Sequence, residues 1–233
     1  MTRLCSLNGW TEGDAHNVMQ RITWDASADA KAAKASVGFM PDHIQKRVDR
    51  ACIEIADSVK SAKRDGKRSG RCLDVGCGHG TLVPELTKFG VSPGQIVGVD
   101  LSPEMVRNAM ETYRGVKFVA GDFLGTFEDD GGFDGIIFCS ALHDLPDMNG
   151  GLAKAASLLR PEGRLVILHA QGCAHVMGQH KANPVLVKRG LPSRQELEVI
   201  VVELGLELIH APAELGSAED SEEGYLTILK KVA

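Results

Sequence analysis

The chain has 233 residues, with 26 Lys and Arg against 31 Asp and Glu, and its formal charge of −5 argues against a general nucleic-acid binder. Hydrophobic residues are 43% of the chain, with 26 Gly and 9 Pro, which supplies one sizeable core and is unlike a disordered or collagen-like composition. No apolar run approaches the roughly 18 residues of a membrane span. The opening MTRLCSLNGWTEGD lacks the hydrophobic stretch of a secretory signal, so a soluble, cytoplasmic protein is expected.

The six cysteines, at positions 5, 52, 72, 77, 139 and 173, form no C-x-x-C pair and no zinc quartet, and a chain of this length needs no disulfide framework. Cys72 and Cys139 are expected as small buried hydrophobes, and Cys5 as an exposed, oxidisable thiol. Charge is uneven: residues 1–71 carry 13 basic and 9 acidic side chains, whereas 72–233 carry 13 and 22. Much of the basic excess lies in SVKSAKRDGKRSGR at 58–71, which suits a solvated helix end and linker, or else a patch for an anionic partner.

Residues 12–34 are expected to form an Ala-rich helix, punctuated by Gly38 and Pro41. From Asp42 to Ala62, the residues Ile44, Val48, Ala51, Ile55 and Val59 recur at three- and four-residue steps, so the spacing predicts a helix with one buried face. Residues 1–70 are thus expected as a helical lid or cap, and 71–233 as a core. Five apolar runs follow: RCLDV, QIVGVD, VKFVAG, DGIIFCS and RLVILHA. None alternates cleanly with polar residues, which predicts burial on both faces, as in a parallel sheet covered by helices. Between the runs, helices are expected from Thr81 to Phe89, from a Ser102 cap with Pro103 at the first helical position, and from Gly150 to Arg160 before the PEG turn at 161–163. Ser193 and Glu196 form a capping box ahead of LEVIVVELG, with Gly205 as the stop. LELIHAPA and GYLTILKK supply two more strands across the acidic loop GSAEDSEEG.

The first strand runs directly into Gly76-Cys77-Gly78-His79-Gly80, a turn whose backbone can lie against a ligand beside helix N-terminal amides. Thr81 stands where a G-x-G-x-x-G motif needs its third glycine, and no G-K-S or G-K-T follows, so neither a nicotinamide dinucleotide nor a hydrolysed triphosphate is implied. Asp100 ends the second strand, 26 residues after Asp74, where a carboxylate accepts hydrogen bonds from both hydroxyls of a ribose. A ribose-containing ligand without a pyrophosphate is the inference; capping the next helix is the simpler alternative for Asp100.

The runs LDVGCGHG, VGVDLSPEMV, VKFVAGDF and FDGIIFCSALHDLPD, in this order and covering roughly Arg71 to His169, resemble the motif set of class I S-adenosylmethionine-dependent methyltransferases. Within them the chain is similar to the small-molecule subgroup of quinone and natural-product pathways. The resemblance implies a Rossmann-like, doubly wound, mostly parallel seven-stranded α/β sheet with helices on both faces and an N-terminal helical lid. It implies S-adenosylmethionine as cofactor and a small-molecule acceptor methylated at O, N or S by in-line displacement. By the same resemblance Asp74, Gly76, Cys77, Gly78 and His79 surround the methionine moiety, Asp100 holds the ribose, and Leu101 and Met105 lie near the adenine. Gly121, Asp122 and Phe123 adjoin the adenine edge, and Ser140 to His143 form the floor under the sulfonium. Read alone, Asp122 would equally serve as a turn former and Phe123 as core.

Upstream, Trp24-Asp25-Ala26-Ser27-Ala28 resembles the start of the subgroup's lid motif, but Lys31 stands where a tyrosine is usual. After the fifth strand, residues of about 170–192 form a polar, histidine-rich segment where such folds build the acceptor site. His143, His169, His175 and His180 are the candidate bases, able to take a proton from an oxygen or nitrogen acceptor. The six- and five-residue spacings of His169, His175 and His180 do not put them on one helical face, so no metal is expected. Other readings are a thiol, halide or metalloid acceptor, a protein or RNA acceptor, and a cofactor-binding scaffold without catalysis.

Overall fold

The computed structural model describes residues 11–36, 41–64, 69–212 and 224–232, apart from the side chains of 29–36, 63 and 64. The expectations for Cys5, Gly38, the Lys31 side chain, the centre of the basic linker and most of the acidic loop lie outside the described residues. Two helices come first, α1 Glu12–Ser36 and α2 Asp42–Arg64, followed by β1 Cys72–Val75, α3 Leu82–Lys88 and β2 Ile96–Asp100. Next are α4 Pro103–Thr112, β3 Lys117–Ala120, β4 Phe133–Cys139, α5 Met148–Leu158 and β5 Leu159–His169. The chain continues through α6 Gly172–Ala182, α7 Arg194–Glu203, β6 Leu206–His210 and β7 Tyr225–Lys231.

The strands form one seven-stranded sheet in the order β3-β2-β1-β4-β5-β7-β6, as the resemblance implies. β1 to β5 are mutually parallel, and β7 is antiparallel to both β5 and β6. The continuous apolar runs are explained by two separate cores, because successive side chains of a strand point to opposite faces. Leu73, Val75, Ile136, Phe138, Leu165 and Ile167 pack with α5, α6 and α7 on one face. Cys72, Ile96, Ile137, Val166 and Leu168 pack with α2, α3 and α4 on the other. Among the described residues no helix is long and apolar enough to cross a membrane.

The expected caps are present. Ser102 accepts a hydrogen bond from Met105 N with Pro103 behind it, Ser193 and Glu196 cap α7 reciprocally, and Gly205 adopts φ +61° after α7.

Several expectations need correction. Residues 172–182, expected within a polar loop, form α6: Cys173 and Val176 bury a narrow apolar stripe, too short to be recognised among histidines and amides. α5 starts at Met148, where Asp147 caps Gly150 N, and ends at Leu158 rather than Arg160. The PEG triplet is a bulge inside β5, not a turn before it: pairing jumps from Phe133–Leu159 to Gly135–Arg164, and Glu162 takes φ +68°. Of the N-terminal helices, α2 is a full member of the sheet-covering layer, with Ala51, Cys52, Ile55 and Ala56 inaccessible to solvent.

Candidate active site

In an open parallel sheet, ligands bind outside the strand C-termini where the order reverses, because adjacent loops there leave in opposite directions. Here that point lies between β1 and β4. A cavity of about 260 Å³ opens there. The turn after β1 contributes Gly76, Cys77, Gly78 and His79, the end of β2 contributes Asp100 and Leu101, and α4 contributes Met105. Gly121, Asp122 and Phe123 follow β3, and Cys139, Ser140, Ala141, Asp144 and Leu145 come from the end of β4 and beyond. Three further wall residues, Asn17, Gln20 and Trp24, belong to α1.

The β1 turn is shaped by its glycines. Gly76 and Gly78 have φ of +72° and +53°, in the left-handed region that side chains rarely adopt. A Cβ on Gly76 would fall 2.4 Å from the Ala141 Cβ, whereas one on Gly78 would meet nothing within 4 Å and would project into open space. The turn is tied to β2 by Gly76 N and Cys77 N, which donate to Val99 O at 2.8 and 3.1 Å. Asp100 completes the tie: Oδ2 accepts from Gly78 N at 2.8 Å and Oδ1 from Ser102 N at 2.9 Å. Its carboxylate is therefore oriented by backbone donors. On the opposite wall Ser140 also has a positive φ, 54°, and its N–H donates to Leu168 O at 2.7 Å. Such a backbone in a non-glycine residue is held by its surroundings and clusters at functional sites.

Asp74 lies behind this wall, buried, and its Oδ1 has no hydrogen-bond partner among the described residues. Burial, and then the neighbouring Asp100 charge, push its carboxyl up to about 7. Asp122 accepts from Leu124 N at 2.9 Å through Oδ1 and from the Asn17 amide at 3.0 Å through Oδ2. It is thus a turn former and a cavity residue at once. Phe123 is buried, stacks edge-on to Phe138 at 5.8 Å and still reaches the cavity.

α1 lies across the mouth. His16 is fully buried, its Nε2 2.8 Å from Asp144 O and its Nδ1 3.1 Å from Val185 O. The Gln20 amide donates to Asp144 Oδ1 at 3.2 Å and Leu186 O at 2.9 Å. Asp25 accepts from the Ser102 hydroxyl, fastening α1 to the start of α4. Trp24 and Asp25 stand out in the sequence, whereas His16, Asn17 and Gln20 do not, because partners this distant leave no local pattern.

The four candidate bases separate. His143 and His169 are buried with ring centroids 5.0 Å apart, and exposed His175 lies 5.7 Å from His169. His180 stands apart from this row, its Nδ1 2.7 Å from Val187 O. None of the four lines the cavity at the β1–β4 switch point; His143 borders a neighbouring one. Burial and the adjacent imidazoles push His143 down to about 4 and His169 to about 3, so both are neutral at physiological pH. No group of three His, Cys, Asp or Glu among the described residues is arranged to hold a metal ion. Cys77 and Cys139 border the cavity, but burial raises both thiols, Cys139 to about 12, leaving no reactive thiolate for a metalloid.

The wall chemistry fits S-adenosylmethionine. Asp100 offers acceptors for a ribose diol, Leu101, Met105 and Phe123 offer apolar faces for a purine, and Gly78 leaves room for a chain against the backbone. The orphaned Asp74 oxygen would gain a partner from a nearby ammonium.

Residues 67–205 match the family defined by a methyltransferase domain. The chain is 32% identical over 151 residues to a demethylmenaquinone methyltransferase of Staphylococcus aureus, a match covering 60% of the chain and 63% of that enzyme, less than two thirds of its length. It is 28% identical over 207 residues to the O-methyltransferase cnsE of Penicillium expansum, covering 80% and 70%. A solved TehB-like S-adenosylmethionine-dependent methyltransferase from Corynebacterium glutamicum superposes with a TM-score of 0.58 at 21% identity, covering 91% of this chain and 99% of that one. The chain belongs to the methyltransferase-domain family and has the fold of the S-adenosylmethionine-dependent enzymes.

Proposed function

We propose that the protein transfers a methyl group from S-adenosylmethionine to an oxygen, nitrogen or sulfur atom of a small molecule. The observation that carries this proposal is the cavity at the β1–β4 switch point, with an oriented Asp100 carboxylate on one side and the N-terminal helix across its mouth. A helix pinned by His16 and Gln20 along one wall of the cavity supports a small acceptor. The names of two relatives, a demethylmenaquinone methyltransferase and an O-methyltransferase, support the same class.

When bound, the cofactor supplies a methyl group already made electrophilic by its sulfonium. The chain's own residues have the remaining tasks. Asp100 would hold the ribose hydroxyls, Asp122 with Asn17 the adenine edge, and Phe123, Leu101 and Met105 its faces. Gly76, Cys77, Gly78, His79 and Gly121 would supply backbone surface, with Asp74 beneath the amino-acid end. Ser140 and Ala141 would form the floor, and α1 with Trp24 would exclude water and limit the acceptor's orientations.

Methylating a hydroxyl or amine releases a proton, and among the four histidines His143 is the one whose side chain borders a cavity next to this floor. Its depressed pKa makes it a weak resting base, but an oxygen or nitrogen that is acquiring a methyl becomes a strong acid, so neutral imidazole suffices. His180 would hold the loop at Val187. Because His143 is unprotonated above about pH 4, its base form is lost only as pH falls through that value. At saturating S-adenosylmethionine, kcat is therefore expected to stay level from about pH 8 to about pH 5, and His143→Gln to lower it by roughly 10²-fold with cofactor affinity intact. A parent kcat, measured at saturating cofactor at each pH, that falls near pH 6.5, or an unchanged His143→Gln kcat, would remove His143 from this role.

The function itself is tested by incubating the protein with methyl-labelled S-adenosylmethionine and a mixture of small metabolites, RNA and protein. Label is expected in the low-molecular-weight fraction. Label in macromolecules would overturn the small acceptor, and tight cofactor binding with no transfer to any fraction would indicate a non-catalytic scaffold.

A further inference from the structure

A second cavity, of about 210 Å³, adjoins the first, and Leu145 is the residue common to both walls. A Cβ on Gly151 would fall 2.4 Å from Leu145 Cδ1, so the bare turn of α5 is what allows Leu145 to lie back between the two spaces. At one end stands His143, 4% exposed, with an Nδ1 that has no hydrogen-bond partner among the described residues.

The charge of this cavity can be followed side chain by side chain. Asp147 is engaged with its own helix, accepting from Gly150 N at 2.9 Å, and Arg189 is paired with Glu196. Lys188 is exposed and forms no ion pair among the described residues, so its ammonium can pair with a ligand anion, while the Asp147 carboxylate on the same wall keeps its charge. The loop that carries it is firmly built. Val185 O contacts His16, Leu186 O accepts from Gln20, Val187 O contacts His180, and Pro192 O accepts from Tyr225 OH at 2.8 Å. A lysine on a segment fixed to α1, α6 and β7 is a designed element of the wall rather than a wandering surface charge.

We infer that this second cavity is the acceptor subsite and takes an anionic small molecule, a carboxylate or phenolate, with its charge against Lys188 and its reactive atom directed past Leu145. Leu145 then sets how bulky the acceptor is at the methylated end. This inference rests on the methyltransferase reading of the larger cavity.

The test is calorimetric titration of the S-adenosylhomocysteine-loaded protein with benzoate, with 4-nitrophenol at alkaline pH, and with neutral benzamide. At least one anion is expected to bind about tenfold or more tighter than benzamide, as for a hydrogen bond to a charged group. Lys188→Gln is expected to erase that preference and Lys188→Arg to retain it, and Lys188, being exposed, can be changed without disturbing the core. Benzoate preferred over 4-nitrophenolate would identify a carboxylate, and the reverse a phenolate. Equal binding of all three probes, binding of none, or an anion preference that survives in Lys188→Gln would overturn the subsite while S-adenosylhomocysteine still binds. Failure of the parent to bind S-adenosylhomocysteine at all would instead strike the methyltransferase reading.

Discussion

Replacing Asp100 with Ala is expected to weaken S-adenosylhomocysteine binding by about 10²- to 10⁴-fold. Two charge-assisted hydrogen bonds to a ribose diol contribute about 1.5 to 3 kcal/mol each before coupling, and the variant loses both. It also loses the internal bonds from Gly78 N and Ser102 N, so the glycine turn is freed from the end of β2. Asp100→Asn separates these effects: its amide oxygen keeps one acceptor for the backbone, while the negative charge is gone. Binding by Asp100→Asn is expected to lie between that of the parent and that of Asp100→Ala. Calorimetric titration of both variants, with folding checked by circular dichroism, measures the difference. Parental affinity in a folded Asp100→Ala protein would mean that the carboxylate serves only its own turn.

Asp100 was readable in the sequence because its position is local: a polar residue ending an apolar run, next to a glycine turn, has few structural uses. The sheet was readable for the same reason, since runs such as DGIIFCS need burial on both faces and only one common architecture provides it. The region 170–192 was not. α6 buries only Gly172, Cys173 and Val176 in its first turns, and amides and imidazoles among its remaining residues read as a loop. His180 looked like a possible base because histidines are chemically alike in sequence; its contact with Val187 O, seven residues on, is a tertiary fact. The same holds for His16, Asn17 and Gln20, whose partners lie more than a hundred residues away. Long-range contacts of polar side chains have no periodic signature, whereas apolar burial does.

Those contacts also change what the N-terminal helix means. α1 does more than cover the cavity: through His16 and Gln20 it touches both the segment after β4 and the loop that carries Lys188. Under the proposed function, the wall facing the cofactor and the wall facing the acceptor share one support, and a displacement of α1 would loosen both together.

Substituting Asp74 with Asn is expected to stabilise the cofactor-free protein at pH 8 and to abolish a pH dependence of cofactor affinity. The folded-state carboxyl sits at about 7, raised from 3.8 by burial and by the Asp100 charge. An acid whose pKa is raised on folding is tolerated without cost below the unfolded value, near 3.8, and its penalty grows as pH rises from there to the folded value and is level above it. At full ionisation this displacement corresponds to on the order of 4 kcal/mol, part of which the Asn variant gives back through the burial cost of its own amide. The variant's advantage in denaturant midpoint is thus expected to be largest at pH 8 and to vanish by about pH 4. Cofactor affinity runs the other way. An ammonium beneath the glycine turn favours ionised Asp74, so below about pH 7 the parent must release a proton on binding and loses up to tenfold in affinity per pH unit. Above that value its affinity is level, and in Asp74→Asn it is weak and flat across the range. A stability difference independent of pH, together with equal pH profiles of binding, would show that Asp74 titrates as an ordinary carboxylate.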